Sequence, residues 1–190
     1  MLSYYELRKG VQFIYEGQPY EVLEFHQMGK SQGTPVAQTK IRNLITGRVI
    51  PKTFHYSDVF GEAELQKFQA KFIYASRGKY IFSYANNPGQ RFELSEEQVG
   101  DIAKFLKSGQ EVEGLLFEDK IINIILPVKV QLKVKEAAPG VKGDRAQGGN
   151  KAVTLETGAV INTPLFVETG DIIEINTEKG EYVRRIEKGE

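Results

Sequence analysis

Apolar and polar residues alternate along most of the chain, in short runs that end at polar turns. The clearest run is 128–134, where valine and leucine alternate with lysine and glutamine. A period of two is typical of a β-strand with one buried face. Turn signals separate the runs at Glu16-Gly17-Gln18-Pro19, Arg77-Gly78 and Glu118-Asp119. The pattern therefore predicts an all-β fold.

The strand-like runs fall into three groups. The first predicted unit covers residues 1–63, the second covers 64–126, and the third covers 127–190. Short strands with polar turns at this spacing are typical of small β-barrels. We therefore expect three barrels in an elongated chain, a type of scaffold that often binds RNA.

One helix is predicted, within the second unit. Ser95 and Gln98 have the spacing of a capping box, with Ser95 as the N-cap. Apolar residues continue the helical pattern as far as Leu106. The helix is therefore expected to end near Ser108-Gly109.

Positive charge is concentrated in one segment of the first unit, although the net charge of the chain is +0. No carboxylate lies between Glu24 and Asp58. A neutral protein with such a segment is predicted to bind phosphate there. In a regular strand, Leu44 would share one face with Lys40 and Arg42. The basic residues of the segment are Lys30, Lys40, Arg42, Arg48 and Lys52.

The turn-rich run Met28–Thr34 lies between two predicted strands and contains Lys30. Such a run is expected to lift the lysine out of the sheet, which makes Lys30 the first functional candidate. The alternative is a surface hairpin that carries an ordinary solvated lysine.

The residues that most enzymes and metal sites need are scarce. The chain has no cysteine, and its two histidines, His26 and His55, form a poor set of metal ligands. The glycine-rich stretch Pro139–Lys151 fits neither common nucleotide-binding spacing. We therefore predict no enzymatic activity, no metal and no cofactor.

Four aromatic residues of the second unit are of the kind that stacks nucleic-acid bases on OB-fold surfaces. At least half of them are expected to fill the barrel core instead. They are Tyr74, Tyr80, Phe82 and Tyr84.

No apolar run approaches the roughly 20 residues of a membrane helix. The first residues, Met1–Glu6, also lack the pattern of a signal peptide. A cytoplasmic protein is expected.

Four stretches of the sequence resemble one protein family. Three lie in the first unit: Gly17–Tyr20, Gly29–Gln32 with the following 39–47, and Lys52–Phe54. The fourth is a long C-terminal run, which includes Pro139–Asp144, Pro164–Val167 and Gly180–Val183. On these residues the chain resembles the bacterial elongation factor P family along essentially its full length. It is more distantly similar to the archaeal and eukaryotic factor that carries hypusine.

The resemblance implies an N-terminal SH3-like (KOW-like) barrel and two OB-folds, arranged as an L that imitates tRNA. It implies a monomer that binds the 70S ribosome between the P and E sites. There the factor would contact rRNA and the peptidyl-tRNA in the P site. By positioning the peptidyl-tRNA it would stimulate peptide-bond formation and relieve stalling at consecutive prolines.

The resemblance also assigns roles to residues. Lys30 would be the tip of the loop that faces the peptidyl-transferase centre, and a lysine-modifying enzyme would be a further partner. The flanks of this loop are Gly29, Ser31 and Gln32. Phosphates of tRNA and rRNA would be contacted by Lys40, Arg42, Arg48 and Lys52. The loop of the third unit that faces the codon and the small subunit would be formed by Gly143, Asp144, Arg145 and Lys151.

The chain departs from the family pattern in three respects. Met28 and Ser31 stand where the family commonly has proline and glycine, and Arg145 stands where threonine is usual. The segment between the tip and the next basic residue is also slightly longer. Ser31 and Gln32 are therefore alternatives to Lys30 as the tip residue.

A general OB-fold protein that binds or remodels RNA is the alternative function. Its affinity for RNA should fall gradually as basic residues are removed, with no special dependence on Lys30.

Overall fold

The computed structural model of the protein describes residues 1–30, 33–138 and 149–189. These residues form sixteen β-strands, one short α-helix and two 3-10 helices. The strands form curled antiparallel sheets, and the predicted all-β class is confirmed. No helix in the described part of the chain is long and apolar enough to cross a membrane.

The N-terminal strands are β1 (Leu2–Ser3), β2 (Gln12–Tyr15), β3 (Gln18–Lys30), β4 (Gly33–Asn43), β5 (Val49–His55) and β6 (Val59–Phe60), with a 3-10 helix at Tyr4–Glu6. They form a four-stranded sheet in the order β2-β3-β4-β5 and a separate pair, β1-β6. The centre of their core is aromatic. Phe13, Phe54 and Phe60 pack edge to face, with ring centroids 4.8 to 5.8 Å apart. Three rings in this geometry provide much of the buried area of a small core.

The middle of the chain forms a second sheet. Its strands are β7 (Gln66–Ser76), β8 (Lys79–Tyr84), β9 (Arg91–Ser95), β10 (Glu111–Phe117) and β11 (Lys120–Ile125). They are ordered β11-β10-β7-β8-β9. The predicted turns Arg77-Gly78 and Glu118-Asp119 are confirmed as two-residue hairpin loops. All four of these turn residues have positive φ angles, as the tight hairpin turn requires.

The predicted helix is only partly correct. The capping box is confirmed, because Ser95 Oγ accepts from the backbone N–H of Gln98 and the Gln98 side chain reaches back to Ser95. The α-helix α1 nevertheless covers only Glu96–Val99, and a 3-10 helix follows at Gly100–Phe105. The prediction of one continuous helix is wrong, because Gly100 has a φ of 61° and interrupts the α-helical backbone.

The C-terminal strands form a third sheet. They are β12 (Lys129–Ala137), β13 (Asn150–Leu155), β14 (Val160–Pro164), β15 (Ile172–Asn176) and β16 (Glu181–Glu187), in the order β14-β13-β12-β15-β16. The alternating run predicted a strand from residue 128, but Val128 precedes β12 and is exposed. Val130, Leu132 and Val134 are buried, as the pattern predicts.

Buried residues of the second and third sheets form one continuous hydrophobic cluster. Phe105 lies at the junction, 1% exposed and with its ring close to Gly180, in the turn between β15 and β16. Beside it, Thr157 Oγ1 donates to the carbonyl oxygen of Lys104 at 2.6 Å. The two sheets are therefore joined by core packing as well as by the chain.

Candidate nucleic-acid interface

The candidate site is built on the hairpin of β3 and β4. The two strands pair from Tyr20–Asn43 to Lys30–Gly33. β2 pairs with β3 only over Gln18–Glu21, and the pairing of β5 with β4 extends no closer to the turn than Val36. In the described part of the chain, the end of the hairpin thus projects beyond both neighbouring strands. At about 3.3 Å per residue, the Lys30–Gly33 pair lies roughly 10 Å beyond Val36.

The structure places the backbone of Gly29 and Lys30 at the end of β3. Lys30 is therefore the last residue of the first strand of the hairpin, rather than a residue of a separate loop. The alternative tip residues, Ser31 and Gln32, lie outside the described residues. The assignment of Lys30 as the tip stays a prediction.

Lys40 and Arg42 lie on the outer face of β4, and each is paired with a carboxylate of β3. Lys40 Nζ is 3.0 Å from Glu24 Oε1, and the Arg42 guanidinium donates to Glu21 Oε2. The hydrogen bond and the positive charge of Lys40 hold the pKa of Glu24 below its ordinary value. The basic segment contains no carboxylate of its own, but Glu21 and Glu24 of β3 lie next to two of its cations. Phosphate binding by the two cations stays a prediction.

A regular strand would place Leu44 on the face of Lys40 and Arg42. The structure does not, because Leu44 lies beyond the end of β4. β4 ends at Asn43, whose side-chain oxygen accepts two backbone N–H bonds of the following turn, both at 2.9 Å. Leu44 is consequently buried and packs against apolar residues of the second sheet. Asn123 of that sheet donates to the Leu44 carbonyl oxygen at 3.3 Å.

Lys52 lies on the opposite face of the sheet from Lys40. In the register of β4 and β5, Lys40 is directly opposite Pro51, and successive side chains of a strand point to opposite faces. Lys52 Nζ instead lies 4.9 Å from the ring centroid of Tyr15. Hydrogen bonding to the Tyr15 side chain raises the pKa of Lys52 above its ordinary value. Lys52 therefore lies against the Tyr15 ring, away from Lys40 and Arg42.

Arg48 is exposed in the connection between β4 and β5. Its backbone is fixed, because its N–H donates to Thr46 Oγ1 at 3.3 Å and its carbonyl oxygen accepts from the Asn43 N–H at 2.9 Å. This connection is at the opposite end of the hairpin from Lys30. Of the four predicted phosphate contacts, Lys40 and Arg42 therefore share one face of the sheet, Lys52 lies on the opposite face, and Arg48 lies in the turn beside Asn43.

The candidate loop of the third unit is described only at its base. Gly143, Asp144 and Arg145 lie outside the described residues. Lys151 is in β13 and half-buried, and its Nζ donates to the carbonyl oxygen of Ala138 at 2.8 Å. This contact fastens the two ends of the connection between β12 and β13, a structural role that no sequence signal indicated.

Both histidines lie at the surface, and part of the predicted aromatic set packs in the core. His26 and His55 are both exposed, and the described residues contain no group of three or more His, Cys, Asp or Glu placed to hold a metal ion. Phe82 is buried and Tyr80 packs against the core, so the expectation that half of the aromatic set fills the barrel is confirmed. Tyr74 is exposed.

The N-terminal and C-terminal parts of the chain each match a known protein family. Residues 3–60 match the family described as Elongation factor P (EF-P) KOW-like domain. Residues 130–185 match the family described as Elongation factor P, C-terminal. A solved structure of eukaryotic translation initiation factor 5A from Methanococcus jannaschii aligns with 65% of this chain and 92% of its own, at 16% identity and a TM-score of 0.46.

Curated relatives named Elongation factor P are similar over nearly the whole chain. The protein of Carboxydothermus hydrogenoformans is 37% identical over 186 residues, which are 98% of this chain and 100% of the relative. The protein of Desulfatibacillum aliphaticivorans is 39% identical over 188 residues, or 99% of this chain and 100% of the relative. The chain therefore belongs to the elongation factor P family of translation factors.

Proposed function

We propose that the protein binds the 70S ribosome between the P and E sites and stimulates peptide-bond formation at consecutive prolines. The observation that carries the proposal is the projecting β3–β4 hairpin, whose first strand ends at Lys30 in a chain of this family. A lysine at such a tip is a compact cation on a long stem, suited to reach between phosphates.

In this proposal the protein aligns the reactants of peptide-bond formation and supplies no catalytic group. Proline is conformationally restricted, so peptide-bond formation on it is slow where the reactants are badly aligned. A factor that holds the peptidyl-tRNA in a productive geometry supplies an orientation effect. Contacts to phosphates fix the position of a protein on RNA without reading its sequence. In this proposal the positioning contacts are Lys40, Arg42, Arg48 and Lys52.

Each of the three main sheets lies within one of the predicted units 1–63, 64–126 and 127–190, which supports a division into three domains at those boundaries. We propose that the domains form an L like that of tRNA, and that the protein acts as a monomer in the cytoplasm. The loop with Gly143, Asp144 and Arg145, fastened by Lys151, would face the small subunit. A lysine-modifying enzyme would act on Lys30.

The test is a reconstituted translation system that lacks its own factor. Synthesis of a reporter with three consecutive prolines is compared with that of a proline-free reporter, with wild-type protein, Lys30→Ala or Lys120→Ala. Lys120 is the matched control, because it follows the two-residue turn of another hairpin, β10–β11. The wild type and Lys120→Ala should relieve stalling on the proline reporter alone, and Lys30→Ala should not.

The other outcomes separate the parts of the proposal. Relief that survives Lys30→Ala moves the tip to Ser31 or Gln32, which are then substituted in turn. A wild-type chain that neither relieves stalling nor binds ribosomes contradicts the proposed function. Activity that declines equally for each removed basic residue favours a general RNA-binding protein.

A further inference from the structure

Two acidic residues of β3 are placed directly opposite the two cations that β4 brings together. In the register of the hairpin, Glu21 is the partner of Arg42 and Glu24 is the partner of Lys40. Positions 21 and 24 differ by three, so a regular strand would point their side chains to opposite faces. The register shift between Val22 and Glu24 is a β-bulge that inserts one extra residue and returns Glu24 to the face of Glu21.

These carboxylates occupy the groups that an RNA phosphate would need. Each carboxylate takes one N–H donor of its cation and offsets its positive charge, so a phosphate must compete with Glu24 for Lys40 or with Glu21 for Arg42. Exposed ion pairs are weak, so this competition reduces affinity for a single phosphate without preventing binding. A partner that contacts several parts of the molecule at once tolerates the competition, because its later contacts are intramolecular.

We propose that Glu21 and Glu24 are specificity-determining residues, which weaken binding to bulk RNA by holding Arg42 and Lys40 in ion pairs. Only a partner that engages other surfaces of the protein together with this face then binds it well. Selectivity arises here by penalising the wrong partners. The inference rests on the proposed function, in which the correct partner is the ribosome with its bound tRNA.

The test compares two double variants with the same change in net charge. Glu21→Gln with Glu24→Gln releases the two hairpin cations. The control is Glu93→Gln with Glu113→Gln, which removes two exposed ion pairs of the second sheet, Lys79–Glu93 at 2.7 Å and Lys67–Glu113 at 3.0 Å. The dissociation constant for fluorescently labelled polyuridylate is measured over a series of salt concentrations, and circular dichroism verifies that each variant is folded.

The hairpin variant should bind polyuridylate more tightly than the wild type, by about 1.5- to 5-fold for each released cation. Its salt dependence should steepen by about 0.7 in log–log slope for each additional phosphate contact. The control should change less in both quantities. Adding Lys40→Ala and Arg42→Ala to the hairpin variant should abolish the gain.

Three results would overturn the inference: equal gains in the two double variants, a gain that survives loss of Lys40 and Arg42, or undetectable binding by the hairpin variant at low salt. The proposed function fails separately. It is contradicted by wild-type protein that does not relieve stalling at prolines, whatever the affinity for polyuridylate.

Discussion

At the scale of single residues, Asp171 is a buried carboxylate that accepts hydrogen bonds from three donors. They are the backbone N–H groups of Glu168 at 2.9 Å and Gly189 at 2.8 Å, and the Arg185 guanidinium at 3.2 Å. Burial acts to raise the pKa of Asp171, but the three donors outweigh it and hold the pKa below its ordinary value. The carboxylate thereby ties the end of the chain to the start of β15.

Asp171→Asn should lower the free energy of unfolding by about 2 kcal/mol at neutral pH, because the charged acceptor is lost. A group with a lowered folded-state pKa stabilises the fold above its unfolded pKa, about 3.9 for aspartate, and ceases to do so as the pH falls through its folded pKa. The difference between wild type and variant should therefore narrow below about pH 4. Denaturant unfolding at pH 7 and pH 3 measures it.

Asp58→Asn is the matched control for this substitution. Asp58 is only partly buried and accepts from the backbone N–H of His55 at 2.7 Å. Its loss should cost no more than about 1 kcal/mol, a typical value for one hydrogen bond. Equal losses in the two variants, or a difference that does not change with pH, would contradict the role given to Asp171.

The sequence shows which residues are charged, but it does not show which residues they pair with. The basic segment was visible, but the carboxylates that pair with Lys40 and Arg42 lie 16 and 21 positions earlier in the chain. Their approach depends on the register of the hairpin and on the bulge at Leu23. No local pattern specifies either, because the extra residue has no signature of its own.

At the scale of elements, a glycine and an aromatic ring form a cross-strand pair in the second sheet. Gly114 of β10 is directly opposite Phe68 of β7, and the ring lies over the glycine. A Cβ atom at position 114 would be 2.2 Å from the ring, well inside van der Waals contact. The ring therefore needs a residue without a side chain beneath it.

Gly114→Ala should lower the free energy of unfolding by about 1–3 kcal/mol, the usual cost of overpacking. Gly61→Ala is the control, because the atoms nearest to a Cβ there are an ordinary 3.7 Å away. Thermal unfolding of both variants measures the difference. Phe68→Ala in the Gly114→Ala background should remove most of the added cost, and an unchanged cost would contradict the steric explanation.

Turns were predictable from sequence, whereas helix length was not. A two-residue turn with glycine, such as Arg77-Gly78, has a local backbone requirement that the sequence states. The apolar pattern after Val99 suits an α-helix and a 3-10 helix equally well over two turns. The positive φ of Gly100 decided between them, and the apolar pattern carries no information about that angle.

At the scale of the whole molecule, the second and third sheets share a core, while the first sheet is attached by a small cluster that contains Leu44, Leu115 and Ile122. Phe105 is central to the larger union because it is buried between the two sheets. A substitution in the shared core should therefore destabilise the second and third sheets together. A substitution in the aromatic core of the first sheet should destabilise that sheet alone.

Phe105→Ala should destabilise by about 3–5 kcal/mol and reduce hydrogen-exchange protection in both β8 and β15. Phe54→Ala, which empties an equally buried site of the first sheet, should reduce protection there alone. Where Phe105→Ala does not fold, Phe105→Leu provides a milder form of the same test. Protection that falls in β8 but not in β15 would show that the shared core does not couple the sheets.

The length of the projecting hairpin can change only in steps of two residues in each strand. Adding one residue to β3 would turn every later side chain to the other face of the sheet, because a strand has a period of two. Adding two residues to each strand keeps all faces and moves the tip outward by about 6.6 Å. Evolution or design can therefore adjust the reach of Lys30 only in such steps, unless a second bulge absorbs the odd residue.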